Sequence, residues 1–316
     1  MRRTLVLILT LALVMSFFAS TTVGAADKKV VMGIAFSTLE SEFWQNLLRT
    51  IEETARKLGA ETTAVDAANN IAKQISQLED LIAKKVDAIV LNAVDADAVV
   101  PIVNQAAAQG IAVVTIDRAI SPQANVACYV GTDNTLAGRM AATYVAEQLK
   151  GKGKIAILNG PPQTLVARHR NAGFLEGLSN YPDIKVVTEK WGSSDRAVNM
   201  TNMEDILTRF PDINAVLCFS DFNALGASDA IIARGKQNDI IIGSIDGLIE
   251  TSQLMKEGKV PIVVTVAQDP AMMARYAAQV GYEAATGNRV PNMVSTWVEN
   301  ITVDNVDEYL KSMGAN

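Results

Sequence analysis

Six apolar runs in this chain each end at a side chain able to grip a hydroxyl group. VVMGIAF (30–36) runs into Ser37, VDAIVL (86–91) into Asn92 and AVVTI (112–116) into Asp117-Arg118. NAVLCF (214–219) runs into Ser220-Asp221, DIIIGSI (239–245) into Asp246, and PIVVTVA (261–267) into Gln268. Carboxylates and amides accept from or bridge neighbouring hydroxyls, and a guanidinium donates a planar fork. This is the chemistry that recognises a sugar, because a buried donor left without its hydroxyl is costly. Phe43-Trp44 adds two rings. Phe43 and Leu47 are four apart, as core residues of a helix would be, so one ring is left to stack on the C–H face of a ligand. Taken singly, each polar tip could equally close a strand or open a turn, and Asp246-Gly247 is a common turn pair.

Other chemistries lack their residues. Gly-x-Gly-x-x-Gly is absent, so a dinucleotide site has no phosphate turn, and so is the P-loop pattern. Gly243-Ser244-Ile245-Asp246-Gly247 misses a nucleophile elbow by one residue. The single histidine, His169, sits between Arg168 and Arg170 at a predicted helix start and reads as a solvated side chain. No Cys/His cluster exists to hold zinc. A binding protein without cofactor or metal is expected, and not an enzyme.

The elements that must position these tips alternate throughout. Helix 41–58 carries Phe43, Leu47, Ile51, Ala55 and Leu58 on one face and ends at Gly59. Helices are expected over 71–84, 97–109, 134–149, 164–179, 196–209, 222–234, 248–256 and 270–286, with strands between them. The tail 294–310 reads as one last strand and a short helix. Such alternation predicts an α/β fold with parallel sheets and right-handed crossovers, and the Val/Ile-rich strand cores predict sheets covered on both faces. Ligands of open parallel sheets sit outside the carboxyl ends of the strands, which is where the six tips lie.

Residues 1–26 read as a cleaved secretory leader: Arg2-Arg3, an uncharged apolar stretch over 5–19, then small residues ending at Ala25-Ala26. Export to the periplasm is the expectation. Without the two leader arginines the chain has 26 basic and 34 acidic residues, a net −8. That balance, with no basic block, makes nucleic acid and anionic membrane poor partners. Cys128 and Cys218 each lie in or beside an apolar strand, so two separate buried thiols are expected.

The chain resembles the ribose-binding family of type I periplasmic binding proteins. The resemblance covers 29–300. It rests on Ser-Thr-Leu followed by two aromatics (37–44), Leu-Asn-x-x-Asp-x-Asp-Ala-Val (91–99), Thr-Ile-Asp-Arg (115–118) and Gly-Thr-Asp-Asn (131–134). Ala-Arg-x-Arg-x-x-Gly-Phe (167–174), Asn-Ala-Leu-Gly-Ala (223–227), Gly-x-x-Asp-Gly (243–247) and Val-Ala-Gln (266–268) continue it. It implies two Rossmann-like lobes joined by a three-segment hinge, one of 27–132 plus 269–297 and the other of 133–268 plus 298–316. It implies a monomer that closes on a monosaccharide or polyol and delivers it to an ABC transporter permease. Presentation to a chemoreceptor or sensor kinase is the alternative. By position it implies ligand contacts from Ser37, Phe43, Trp44, Asn92, Asp117, Arg118, Arg168, Asp246 and Gln268. Ser41 and Ser220 join them where the family carries Asn, and Ser194 stands where it carries an aromatic. These departures point away from plain ribose, toward another pentose, a hexose or a polyol.

Overall fold

The computed structural model describes residues 29–40 and 42–315. The leader and Ser41 lie outside the described residues.

Two six-stranded sheets organise the chain. The first has the order β11-β5-β4-β3-β1-β2, with β1 Val31–Phe36, β2 Glu61–Asp66, β3 Ala88–Leu91, β4 Ala112–Ile116, β5 Cys128–Thr132 and β11 Met293–Thr296. The second has the order β12-β10-β9-β8-β6-β7, with β6 Lys152–Leu158, β7 Asp183–Lys190, β8 Ala215–Cys218, β9 Ile241–Asp246, β10 Ile262–Gln268 and β12 Val298–Ile301. Every pairing is parallel except β10 with β12. The two strand orders are the same pattern used twice, which confirms the expected α/β class with two lobes.

Helices cover both faces of each sheet, and this is why the strands are apolar on both sides. On the first sheet, α1 (Glu42–Lys57) and α9 (Pro270–Ala285) bury Leu47, Ile51, Met273 and Ala277 on one face. The helices α2 (Ile71–Ala83) and α3 (Val100–Ala108) bury Leu78, Leu81, Ile102 and Val103 on the other. The second sheet is flanked by α4 (Asn134–Gln148) and α5 (Leu165–Leu178) on one side and by α6 (Arg196–Arg209) and α7 (Asp221–Ala233) on the other. Two short helices, α8 (Ile249–Lys256) and α10 (Val306–Ser312), pack on each other.

Two expectations are corrected. Helix 97–109 starts only at Val100, because the Asp95 carboxylate accepts the amides of Asp97 (2.9 Å) and Ala98 (2.8 Å) and holds them in a turn. The tail carries two strands and not one. Thr296 ends β11 in the first sheet, and Val298 begins β12 in the second, with Trp297 as the only link.

The chain passes between the sheets at three places: from β5 into α4, from β10 into α9, and from β11 to β12. Two of these passages start a helix on an aspartate cap. Asp133 accepts the Leu136 amide (2.9 Å) and Asp269 the Met272 amide (2.7 Å). The strand ends just before them are joined, Thr132 Oγ1 donating to Gln268 Oε1 at 2.6 Å.

Helices α4 and α5 meet at backbone contact. A Cβ at Gly138 would run into the carbonyl oxygen of Arg170, and one at Gly173 into that of Thr135. Both Gly138→Ala and Gly173→Ala should therefore force the pair apart, at about 1–3 kcal/mol or more by the usual scale of overpacking. Urea unfolding should show the lower midpoint, and an unchanged midpoint in either variant would contradict this packing.

Candidate functional site

Residues just past the carboxyl ends of β4, β8, β9 and β10 line one cavity of about 150 Å³. The first sheet's lobe contributes Phe43 and Trp44 from the first turn of α1, and Asp117 and Arg118 from the end of β4. The second contributes Arg170, Ser220 and Asp246, with Gln268 at the crossing.

Backbone strain aims both cavity aspartates. Asp117 has φ 61° and Asp246 φ 136°, each immediately at a strand end. Positive φ costs a non-glycine residue about 1–3 kcal/mol and persists where surrounding structure over-determines it. At Asp117 that surrounding includes its own amide on the Val130 carbonyl (2.9 Å) and the Tyr129 hydroxyl on its carbonyl (3.1 Å).

At the cavity each lobe holds a guanidinium over an aromatic ring. Arg118 lies 5.3 Å from the Trp44 centroid and donates from Nη1 to the Ala93 carbonyl (3.2 Å). Trp44 is itself clamped edge-on by Phe36 (6.0 Å) and Phe43 (4.8 Å). Arg170 lies 4.8 Å from the Phe219 ring. Its Nε donates to Asn134 Oδ1 (2.9 Å), and its Nη1 to the Phe219 carbonyl (2.7 Å) and to Asp246 Oδ1 (3.1 Å). Gln268 Nε2 donates to the same Asp246 oxygen at 2.8 Å. Because Gln268 is also held by Thr132, the passages between sheets and the cavity share one hydrogen-bonded chain.

The electrostatics follow from burial. Asp117 is pushed up to about 6, chiefly by loss of water, with Arg118 and then Arg170 opposing and Asp246 adding to the rise. Burial also raises Asp246, and Arg170 holds it back. Burial lowers Arg118, with Asp117 opposing. Behind Asp246 sits fully buried Asp221, raised by burial and then by Asp246. It accepts the hydroxyls of Ser244 and Thr265 and the Leu248 amide (2.7 Å), tying the ends of β9 and β10 together. Two carboxyls and two guanidiniums thus balance at the cavity itself.

The sequence-predicted residues divide. Phe43, Trp44, Asp117, Arg118, Ser220, Asp246 and Gln268 line the cavity, and so does Ser194. Ser37 and Asn92 are fully buried and do not line it. Ser37 Oγ donates to Asn92 Oδ1 (2.6 Å), and Asn92 Nδ2 donates to the Ile116 carbonyl (3.2 Å), so the pair braces β1, β3 and β4 from behind. Arg168 is a correction. It is exposed and reaches Asp97 of the opposite lobe at 3.8 Å, at the rim of the cleft. Residues two apart on a helix point to different faces, and Arg170 takes the inward one. Its face of α5 also carries Val166, Ala167, Phe174 and Gly177, all buried. That apolar spacing is the sequence signal that separates Arg170 from Arg168. Asn134, Thr132, Phe219 and Phe222 carried no comparable signal. His169 is exposed on α5 and does not line the cavity. Cys128 and Cys218 are buried and free. Among the described residues no group of side chains could hold a metal ion, and no helix is long and apolar enough to cross a membrane.

Comparison with known proteins places this geometry. Residues 32–289 match the model of the periplasmic binding protein domain. The chain is 37% identical over 270 residues to the ribose import binding protein of Bacillus subtilis (strain 168), covering 85% of this chain and 86% of that one. It is 26% identical over 290 residues to the D-allose-binding periplasmic protein of Escherichia coli (strain K12), covering 87% and 93%. Among solved structures, an ABC transporter solute-binding protein of Bacillus halodurans C-125 with bound myo-inositol superposes with a TM-score of 0.83 at 31% identity, covering 89% of this chain and 97% of that chain. The chain therefore belongs to the periplasmic binding protein domain family, with the type I architecture of two α/β lobes.

Proposed function

We propose that this protein is an exported solute-binding protein that captures a monosaccharide or related polyol between its lobes and hands it to the permease of an ABC importer. The observation that carries this reading is the convergence of Asp117, Arg118, Arg170, Asp246 and Gln268 from separate strand and helix ends on one cavity. Two acidic and two basic groups cancel there, which suits a neutral ligand. Acceptors and donors both line it, which suits vicinal hydroxyls. A cavity of similar volume is known to take a benzene-sized ring. The relatives are named for ribose and D-allose, and a similar structure holds myo-inositol.

The closing bodies are 27–132 with 269–297 and 133–268 with 298–316, hinged at the three passages. Closure brings Asp117-Arg118 of one body against Arg170-Asp246 of the other. A ligand that bridges them binds the closed form better than the open one, and only that difference shifts the equilibrium. The Arg168–Asp97 pair adds a solvent-screened contact across the rim. The leader reading puts the protein in the periplasm, where an importer collects its cargo.

Calorimetry and thermal shift against ribose, allose, other pentoses and hexoses, and myo-inositol test the proposal, and no binding across that set would refute it. With whichever sugar binds, Asp117→Ala and Arg118→Ala should each weaken affinity about ten- to a hundredfold, the scale of one charge-assisted hydrogen bond. Arg168→Ala should cost less than about fivefold, as an exposed ion pair. Equal losses at Arg168 and Asp117 would contradict the assignment of roles.

Affinity should also depend on pH. Asp117 titrates near 6 in the free protein, above its ordinary value of 3.8. Its ionisation therefore opposes folding, by about 3 kcal/mol once pH exceeds 6, and that opposition fades as pH falls toward 3.8. A hydroxyl donated to the carboxylate favours the ionised form. Binding should be tightest above about pH 6, should weaken toward pH 5, and should release protons in that window. Calorimetry in buffers of different ionisation enthalpy reads the proton count; uptake of protons would overturn the sign.

A further inference from the structure

Each cavity aspartate sits on a strained turn, and a tyrosine hydroxyl holds the backbone of each turn. In the first lobe the Arg118 amide donates to the Ile116 carbonyl (2.6 Å) across Asp117, whose φ is 61°. A three-residue turn closed over a positive φ is rare and strained. Tyr129 Oη donates to the Asp117 carbonyl at 3.1 Å. In the second lobe Asp246 (φ 136°) is followed by Gly247 (φ 74°), and Tyr309 Oη donates to the Gly247 carbonyl at 2.5 Å.

Each hydroxyl has a glycine beneath it. Tyr129 and Gly131 are two apart in β5 and share one face of the sheet, and a Cβ on Gly131 would run into the Tyr129 hydroxyl. A Cβ on Gly247 would come within 2.7 Å of the Tyr309 hydroxyl. Cys128 and Val130 take the other face of β5, into the core. Burial raises both phenols, Tyr309 to about 12, so each keeps its proton to donate. Neither ring lines the cavity. The Tyr129 hydroxyl also lies 3.2 Å from the Thr132 carbonyl at the first passage, and Asn134 Nδ2 serves that carbonyl at 3.2 Å. Removing the hydroxyl therefore leaves the Thr132 carbonyl a donor and takes this donor from Asp117.

From this we infer that Tyr129 and Tyr309 are positioning residues for ligand capture. Each holds the turn that aims its lobe's cavity aspartate, Tyr129 acting through Asp117 and Tyr309 through Asp246. The inference rests on the sugar-binding reading and deepens it. Strained backbone persists only while its surroundings over-determine it, and a hydrogen bond weakens steeply once its angle bends. An aspartate whose turn relaxes meets the ligand hydroxyl in poorer geometry.

Tyr129→Phe and Tyr309→Phe test this, since each keeps the ring and removes only the hydroxyl. Calorimetry on the full mature chain uses the best binder among ribose, allose, myo-inositol, xylose, arabinose, glucose and galactose. Each variant should weaken that sugar about three- to tenfold, the scale of one buried hydrogen bond. The loss at Tyr129→Phe should fall below about twofold in an Asp117→Ala background and persist in an Asp246→Ala background, and Tyr309→Phe should do the reverse. Hydrogen exchange on the ligand-free protein should show the Arg118 amide severalfold faster in Tyr129→Phe only, and the Leu248 amide severalfold faster in Tyr309→Phe only. That readout decides the matter where a double variant fails to fold or bind. Unchanged affinity in either variant, a lower unfolding midpoint with unchanged affinity, or losses indifferent to which aspartate is removed would overturn the inference and leave sugar binding intact. No binding of any sugar of the set by the parent chain would overturn both.

Discussion

Four charged side chains share a site from which water is largely excluded, and each is tolerable only because the others are there. Asp117 and Asp246 are raised by burial and held back by Arg118 and Arg170. Removing one member of such a set leaves a buried charge uncompensated, which is far more damaging than the net worth of the pair. The rest of the structure serves to keep these four groups in place. Strained φ angles point the aspartates, aromatic rings flatten against the guanidiniums, and buried Asp221 ties down the strand ends behind them.

The duplicated sheet explains how a short set of residues can be split between two lobes. Each lobe ends a strand in an aspartate at positive φ and lays an arginine on an aromatic. The lobes therefore present similar half-sites, each with one carboxyl and one guanidinium. The link between them passes through the site, since Thr132 and Gln268 lie at two of the crossings and Gln268 also bonds Asp246. The hydrogen bonds that join two of the crossings thus reach the cavity as well. Close packing of α4 on α5 at Gly138 and Gly173 sets the height of Arg170 above the sheet, because the contact is made by the backbone of Arg170 itself.

Membership of the periplasmic binding protein family accounts for the architecture of two α/β lobes. In this fold the strand ends hold the cavity's carboxylates, and residues at the starts of α1, α5 and α7 line the space around them.

The alternation of apolar strand and amphipathic helix made the α/β class legible from the chain alone, since covering both faces of a parallel sheet imposes that pattern over its whole length. Local chemistry also placed the strand-end tips, and Asp117, Arg118, Asp246 and Gln268 do meet at the cavity. Three decisions needed the tertiary structure. Ser37 and Asn92 sit at strand ends as visibly as Asp117, yet they turn to each other and become a brace, because a partner fifty-five residues away is invisible to local reading. Arg168 and Arg170 belong to one motif; the apolar spacing around Arg170 marks the buried face of α5, but only the packing of α5 against α4 carries that face to the cavity. The division of the tail at Trp297 depends on both sheets, since Met293–Thr296 pairs with β5 of the first and Val298–Ile301 with β10 of the second. Sequence determines which groups stand at the ends of elements, through periodicity and capping. Which way those groups face is decided by contacts between distant elements, because burial belongs to the packed whole.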